Sequence, residues 1–236
     1  QQLSTTFNLV NVTGGSGSIA GQQVYAAAHD GYTWLGDVAH TVSGWRTLGY
    51  ADLGWEDFYG FYAASSPYVL FVSGNSPYQT AQQLFDAMRG DPSMKWGNAG
   101  LGSINQLTGS LMLEKLGLKG NSVPYDGGRS AAIKVVAGEV TWSWCGLSDI
   151  LDLAQSGDIR ILGICDSSPR EIDCAKGNYT VPSLLDDYPE LSDLQGLLYW
   201  GFRVSRDTPA DAVAKIRDAF QSTRSFARPK GWSLRQ

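Results

Sequence analysis

The sequence predicts an α/β fold in two lobes, each a mainly parallel sheet flanked by helices, joined by two crossover strands. Three observations carry that expectation. Short apolar runs alternate with helix-length runs along the 236 residues, the pattern of parallel strands with crossover helices. Glycine turns recur where a strand-like run meets a helix-like one, in TGGSG, GNAGLG and YDGG. Two irregular stretches break the alternation, the polar segment Gly90–Trp96 and the loop before LLYWGFRVS at Leu197–Ser205. A chain that leaves one lobe at the first break and returns at the second places residues 1–92 and 201–236 in lobe 1 and residues 93–200 in lobe 2. Two connecting strands of this kind build a hinged pair of lobes.

Taken in order, Phe7–Val12 reads as the first strand, feeding a glycine turn and the helix Ile19–Ala28, which stops at Asp30-Gly31. Strands follow at Tyr32–Leu35 and Tyr68–Ser73, then a helix at Thr80–Met88. The short strand Lys95–Gly97 leads into the helix Ile104–Leu116, and Ser122–Tyr125 leads into Arg129–Ala137. Gly117 and Gly138 stand just past these two helices, where the chain turns left-handed. Glu139–Cys145 is a strand before the helix Leu147–Ser156, and Ile159–Cys165 and Leu198–Val204 are further strands. Thr208-Pro209 opens the last helix, which runs to Phe220, as an N-cap followed by proline in the first turn.

Composition narrows the function. An apolar content of 43% supports a substantial core. A net charge of −5 and a sequence pI near 5.0 argue against nucleic acid or an anionic membrane surface as the main partner. The one dense basic group, Arg224, Arg228, Lys230 and Arg235, reads as a solvated tail. No run approaches the ~20 apolar residues that span a bilayer, and no signal-peptide pattern opens the chain. Of the three cysteines, Cys165 and Cys174 bracket a loop and are open to a disulfide or to two free thiols, and Cys145 stands apart. With His29 and His40 the only histidines, and no nucleophile–base pair in sequence spacing, neither a metal site nor a hydrolytic triad is expected.

The glycine turns carry the chemistry. In LVNVTGGSGSIA, Gly14, Gly15 and Gly17 precede a helix start, where unpaired backbone N–H groups and the helix dipole hold an anion without Lys or Arg. Gly15-x-Gly17-x-x-Ala20 also fits a dinucleotide fingerprint with Asp37 as the ribose acid, so phosphate and carboxylate both stay open here. Each loop alone is a common connector; three that converge would line a site mostly with backbone N–H. Ser103 is open to ligand contact or to an ordinary N-cap. Tyr125 either gives its hydroxyl to a ligand or is a half-buried strand residue. Trp142 and Trp144 share one face of their strand, as core or as an aromatic wall. Asp30 reads as a turn former, and Asp149 and Asp152, three apart, as a solvated helix face rather than an acid/base pair.

The order of motifs from Asn11 to Phe220 resembles the substrate-binding proteins of tripartite tricarboxylate transporters, the Bug-type periplasmic receptors. Asn11-Val12-Thr13-Gly14-Gly15-Ser16-Gly17 is similar to that family's Asn-x-Pro-Gly-Ala-Gly-Gly, and His29-Asp30-Gly31-Tyr32-Thr33 to its Pro-Asp-Gly-Tyr-Thr. Tyr50 followed by Glu56-Asp57-Phe58, the loop Gly97 to Ser103, and Val123-Pro124-Tyr125-Asp126-Gly127-Gly128 continue the match. Ser156-Gly157 to Leu162, Val181-Pro182-Ser183-Leu184, Trp200-Gly201-Phe202 and Asp207-Thr208-Pro209 complete it.

The resemblance implies a periplasmic-binding-protein-like clamshell, not an enzyme, that binds a small organic dicarboxylate or aromatic acid in an extracytoplasmic compartment and delivers it to membrane permease subunits. It implies no cofactor, no nucleic acid, and a monomer. The ligand residues it suggests are Gly14, Gly15, Ser16, Gly17, Asn98, Ala99, Gly102, Ser103, Gln106, Tyr125, Asp126, Gly127 and Trp144. Three departures bear on the ligand. Gln106 stands where the family commonly has His, Val12-Thr13 replaces its Arg-Pro, and Asp126 sets a carboxylate beside the expected ligand, which disfavours a simple tricarboxylate. The family's usual first strand, loop and helix and its longer C-terminal portion are read as absent from these residues. The competing readings are a dinucleotide-binding enzyme using Gly14–Ala20 and a sensory binding protein of the same fold.

Overall fold

The computed structural model describes residues 3, 5–195 and 197–223; the basic group at Arg224, Arg228, Lys230 and Arg235 lies outside them. Contacts divide the chain into two units, one running to Ser65 and resuming at Leu198, the other Ser66–Leu197. The second crossing falls close to the expected 200/201. The first lies well ahead of Gly90–Trp96, because the helix before that segment is already part of the second unit's core.

In the first unit, residues 5–13 pair with no strand, and Leu9 is 89% exposed. The expected strand Phe7–Val12 is therefore not formed; Phe7 lies edge-on against Trp34 at 5.1 Å. A 3-10 turn, Gly15–Gly17, leads into α1 (Ser18–Ala26). Next come β1 (Leu35–Val38) and α2 (Thr41–Trp45), a short helix with no expected counterpart, and then β2 (Phe58–Ser73), which carries the chain into the second unit. Val24, Leu35, Val42, Trp45, Leu53 and Phe58 form the core under α1.

The second unit continues with α3 (Ala81–Gly90), β3 (Lys95–Asn98), α4 (Ile104–Lys115), β4 (Asn121–Pro124), α5 (Gly128–Val136), β5 (Trp142–Gly146), α6 (Leu147–Ser156) and β6 (Ile159–Ile164). A hairpin of β7 (Arg170–Ile172) and β8 (Tyr179–Val181) and the short α7 (Leu184–Asp187) follow, none of them expected. The chain then returns through β9 (Leu197–Ser205) to α8 (Ala210–Thr223) in the first unit. There β9 lies between β1 and β2, antiparallel to β1 from Leu35↔Arg203 to Val38↔Trp200.

Pairing in the second unit is mixed. β3 runs parallel to both β4 and β5, α4 crossing from β3 to β4 and α5 from β4 to β5, whereas β2 runs antiparallel to β5 on one side and β6 on the other. The core is dense with tryptophan: Trp96 stacks on Trp142 at 5.1 Å and Trp144 on Tyr68 at 5.4 Å. On α3, Leu84, Phe85 and Met88 are buried, and Phe85 meets Tyr188 edge-on, which assigns that helix to this unit.

Candidate functional site

Parallel strands place their following helices at one sheet edge. β4, β3 and β5 end at Pro124, Asn98 and Gly146, and α5, α4 and α6 start within a few residues of those ends. Three helix N-termini of the second unit thus gather at the C-terminal edge of its parallel strands. The cap of α5 is Gly127 and that of α6 is Gly146, and neither glycine supplies a side-chain cap, but in α6 the Ser148 amide donates to Ser66 Oγ of β2 at 2.9 Å, so α5 is the helix whose first turn has no side-chain acceptor. First-turn N–H groups left without a cap are the donors an external anion uses.

The loop before α4 is ordered by its own side chains. Asn98, 1% exposed, donates to Ser122 Oγ (2.8 Å) and Val123 O (3.2 Å) and accepts from the Gly100 amide (3.0 Å). Its side chain is a turn former, so only its backbone could face a ligand. Ser103 caps α4, accepting from Gln106 N at 3.2 Å, which is the N-cap reading of that residue. Gln106 accepts from the Gly102 amide at 2.6 Å and donates to Ser122 Oγ at 3.2 Å. Ala99 is partly exposed between them.

The Tyr125 amide donates to Asn98 O at 3.0 Å, tying the third loop to the second. Its hydroxyl donates to Glu139 Oε1 at 3.0 Å, and Lys134 pairs with the other oxygen of that carboxylate. This chain of donors holds Glu139 below the usual range, first through Lys134 and then through Tyr125. Tyr125 lies one residue past β4, partly exposed, with its hydroxyl engaged by Glu139. Asp126 is exposed, and Gly127 turns the chain with φ 97° into the buried Gly128.

Trp144 is corrected outright. It is 0% exposed, stacked on Tyr68, with its indole N–H donating to Thr108 Oγ1 at 3.0 Å. The alternation that placed Trp142 and Trp144 on one face marks the core and leaves no aromatic wall. Asp149 departs from the solvated face in the other direction. It is partly buried, and burial pushes its carboxyl up to about 6, Ser148 only partly opposing the rise. Asp152 does pair in solvent, with Arg129.

In the first unit, Gly14, Gly15, Ser16 and Gly17 all have φ between 51° and 118°, a left-handed run that only a glycine-rich segment adopts cheaply. The Gly17 amide bonds Gly14 O at 3.0 Å, and Trp45 Nε1 donates to Ser16 O at 3.0 Å, fixing the turn from below. Gly17 caps α1 with no side-chain bond, as Gly127 does α5. The dinucleotide reading of this loop loses both supports. No paired strand feeds the turn, and Asp37 bonds the buried Arg203 at 3.0 Å.

Cys145, Cys165 and Cys174 are free thiols. Cys165 follows the C-terminal end of β6, whereas Cys174 lines a cavity of about 280 Å³ with Gly157 and Ile159 at its start. Six strand residues separate those ends by roughly 20 Å, beyond disulfide reach. Among the described residues no group of three or more His, Cys, Asp or Glu could hold a metal ion, and no helix is long and apolar enough to cross a membrane.

Known proteins give this arrangement a family. The model of the "Tripartite tricarboxylate transporter family receptor" matches residues 1–229, and the chain belongs to that family. A curated relative, a UPF0065 protein of Bordetella bronchiseptica, is 27% identical over 185 residues, 76% of this chain and 52% of that protein. The chain thus spans about half the length of the curated relative it matches. Two solved structures from Rhodopseudomonas palustris share the fold. MatC with bound malate has a TM-score of 0.79 at 21% identity, over 94% of this chain and 74% of that one. Rpa4515 with adipate has a TM-score of 0.78 at 23% identity, over 91% and 71%.

Proposed function

We propose that the chain is an extracytoplasmic solute-binding receptor, without catalytic activity of its own, that captures a small organic acid and passes it to the permease subunits of a tripartite tricarboxylate-type transporter. The observation that carries this reading is the gathering of the α4, α5 and α6 N-termini at one sheet edge, with α5 uncapped and α6 holding one of its first-turn amides on Ser66 Oγ. A carboxylate placed there accepts from backbone N–H groups whose positions strands and helices already fix. Little has to be ordered on binding, and no cation is needed. In the first unit the Gly14–Gly17 turn ahead of α1 offers a second set of amides of the same kind. Family membership supports a receptor, and the malate and adipate held by the two structural relatives support an acid of four to six carbons. The contacting positions in this reading are Ala99, Gly102, Ser103, Asp126 and Gly127 of the second unit; Gly14, Gly15, Ser16 and Gly17 are the candidates within the first unit.

Calorimetric titration of the purified protein with aliphatic dicarboxylates, aromatic acids, amino acids and NAD(P) tests the proposal. Saturable binding of one acid class is the expected result. Binding of NAD(P) with no response to any acid would sink it.

A further inference from the structure

The buried carboxylate among these N-termini has no role in the account so far. Asp149 is the third residue of α6, and its carboxylate faces inward across the start of α5. A Cβ built on Gly128 would lie 2.7 Å from Asp149 Oδ2, 3.1 Å from Cys145 Cβ and 3.6 Å from Asn105 Nδ2. The absence of a side chain at Gly128 is therefore what gives this carboxylate its place. Asn105 is 6% exposed and its amide is turned to Trp144 O at 3.5 Å. The only hydrogen bond to the Asp149 carboxylate among the described residues is a long one from Ser148 Oγ at 3.5 Å. Arg129 reaches the Asp149 carbonyl at 3.4 Å but gives its charge to Asp152. A partly buried carboxylate with one long hydrogen bond and no cation keeps capacity to accept from further donors.

We propose that Asp149 sets the specificity of this loop cluster by accepting a hydrogen bond from a hydroxyl or ammonium group of the ligand. The favoured ligands are then hydroxy- or amino-substituted acids rather than plain dicarboxylates. The uncapped N-terminus of α5 takes the ligand's carboxylate, and Asp149 repels a second carboxylate close by while rewarding a donor. This inference rests on the receptor reading above. With its carboxyl near 6, Asp149 is mostly ionised at pH 7.5 and able to accept.

Three acids with one four-carbon skeleton isolate the effect: L-malate carries a hydroxyl, L-aspartate an ammonium, and succinate neither. Titrated into the wild-type protein at pH 7.5, malate or aspartate is expected to bind at least about tenfold more tightly than succinate, the discrimination a charged hydrogen bond supplies. Asp149→Asn should bring that ratio to within about threefold, and Asp149→Ser serves as a second variant should the first fold poorly. Succinate or adipate binding as tightly as malate and aspartate in the wild type overturns the proposal, as does a preference that survives in both variants. In either case the receptor reading stands. If none of these acids binds, this inference is overturned, while the receptor reading is decided separately by the wider panel of acids.

Discussion

Gln106 Oε1 accepts a hydrogen bond from the Gly102 amide at 2.6 Å, so the loop ahead of α4 is closed by a side chain of its own helix. The same side chain donates to Ser122 Oγ, which also receives Asn98 Nδ2, and one residue thereby links the starts of two strand–loop–helix units. Gln106→Ala leaves the Gly102 N–H without its partner. Urea denaturation should show a loss of about 1 kcal/mol, and acid affinity should fall with it. Unchanged stability would mean that the loop holds its shape without Gln106.

The Gly14–Gly17 turn is held at a distance through Gly21. A Cβ on Gly21 would stand 2.2 Å from Trp45 Cη2, and that indole is the donor to Ser16 O. Gly21→Ala gains helix propensity of up to about 1 kcal/mol but overpacks a fully buried ring. We expect a net loss of about 1–2 kcal/mol in thermal or urea unfolding. Gln23→Ala, on the exposed side of the same helix, should be close to neutral.

Arg203, 2% exposed, bonds Asp37 at 3.0 Å and also donates to Ala39 O and Tyr62 Oη. Burial pushes the Asp37 carboxyl up to about 7 against the pull of that guanidinium. Arg203→Met should cost about 3–5 kcal/mol, because it leaves Asp37 buried and unpaired. The double variant with Asp37→Asn should recover most of the loss. Equal losses in the single and double variants would show that packing of the arginine stem matters more than its charge.

Asp149 gives stability a pH dependence of defined sign. Its folded value near 6 lies above the ordinary 3.8, so its contribution is fully present below about 4 and is lost as pH rises through about 6. Tyr68 from β2 and Cys145 from β5 face it and are both pushed up by burial, while Arg129 from α5 pairs with Asp152. Melting temperature should therefore be a few degrees higher at pH 5 than at pH 8, and the difference should shrink in Asp149→Asn. Asp37 adds a trend of the same sign. His40, lowered by burial and by Arg203, acts oppositely as the pH falls below its ordinary value. The difference between wild type and variant is thus the quantity that isolates Asp149, expected to be on the order of 1–3 kcal/mol.

Much of this was legible because backbone chemistry leaves strong marks. Gly97, Gly127 and Ser103 announce strand-to-helix junctions, and α6 runs over the very residues its periodicity indicates, Leu147–Ser156. What stayed hidden depends on neighbours that periodicity does not name. Phe7–Val12 has the residues of a strand but no partner to pair with. The first half of β2, with Gly60, Ala63 and Ala64, lacks the apolar alternation that marks its second half. Asp149 and Asp152 look alike on a helical wheel. One meets Gly128 and the other meets Arg129, and only the packing of α5 on α6 separates them. A helix-start acid three residues after Gly146 was the available signal for Asp149.

The most direct test of the central claim is to follow backbone amide resonances of the ¹⁵N-labelled protein during titration with malate. The account predicts that the largest saturable shifts in the second unit fall at the loop ahead of α4 around Gly102 and Ser103, at Gly127 and Gly128, and at the first residues of α6. Saturable shifts that spare the starts of α4, α5 and α6 would contradict it.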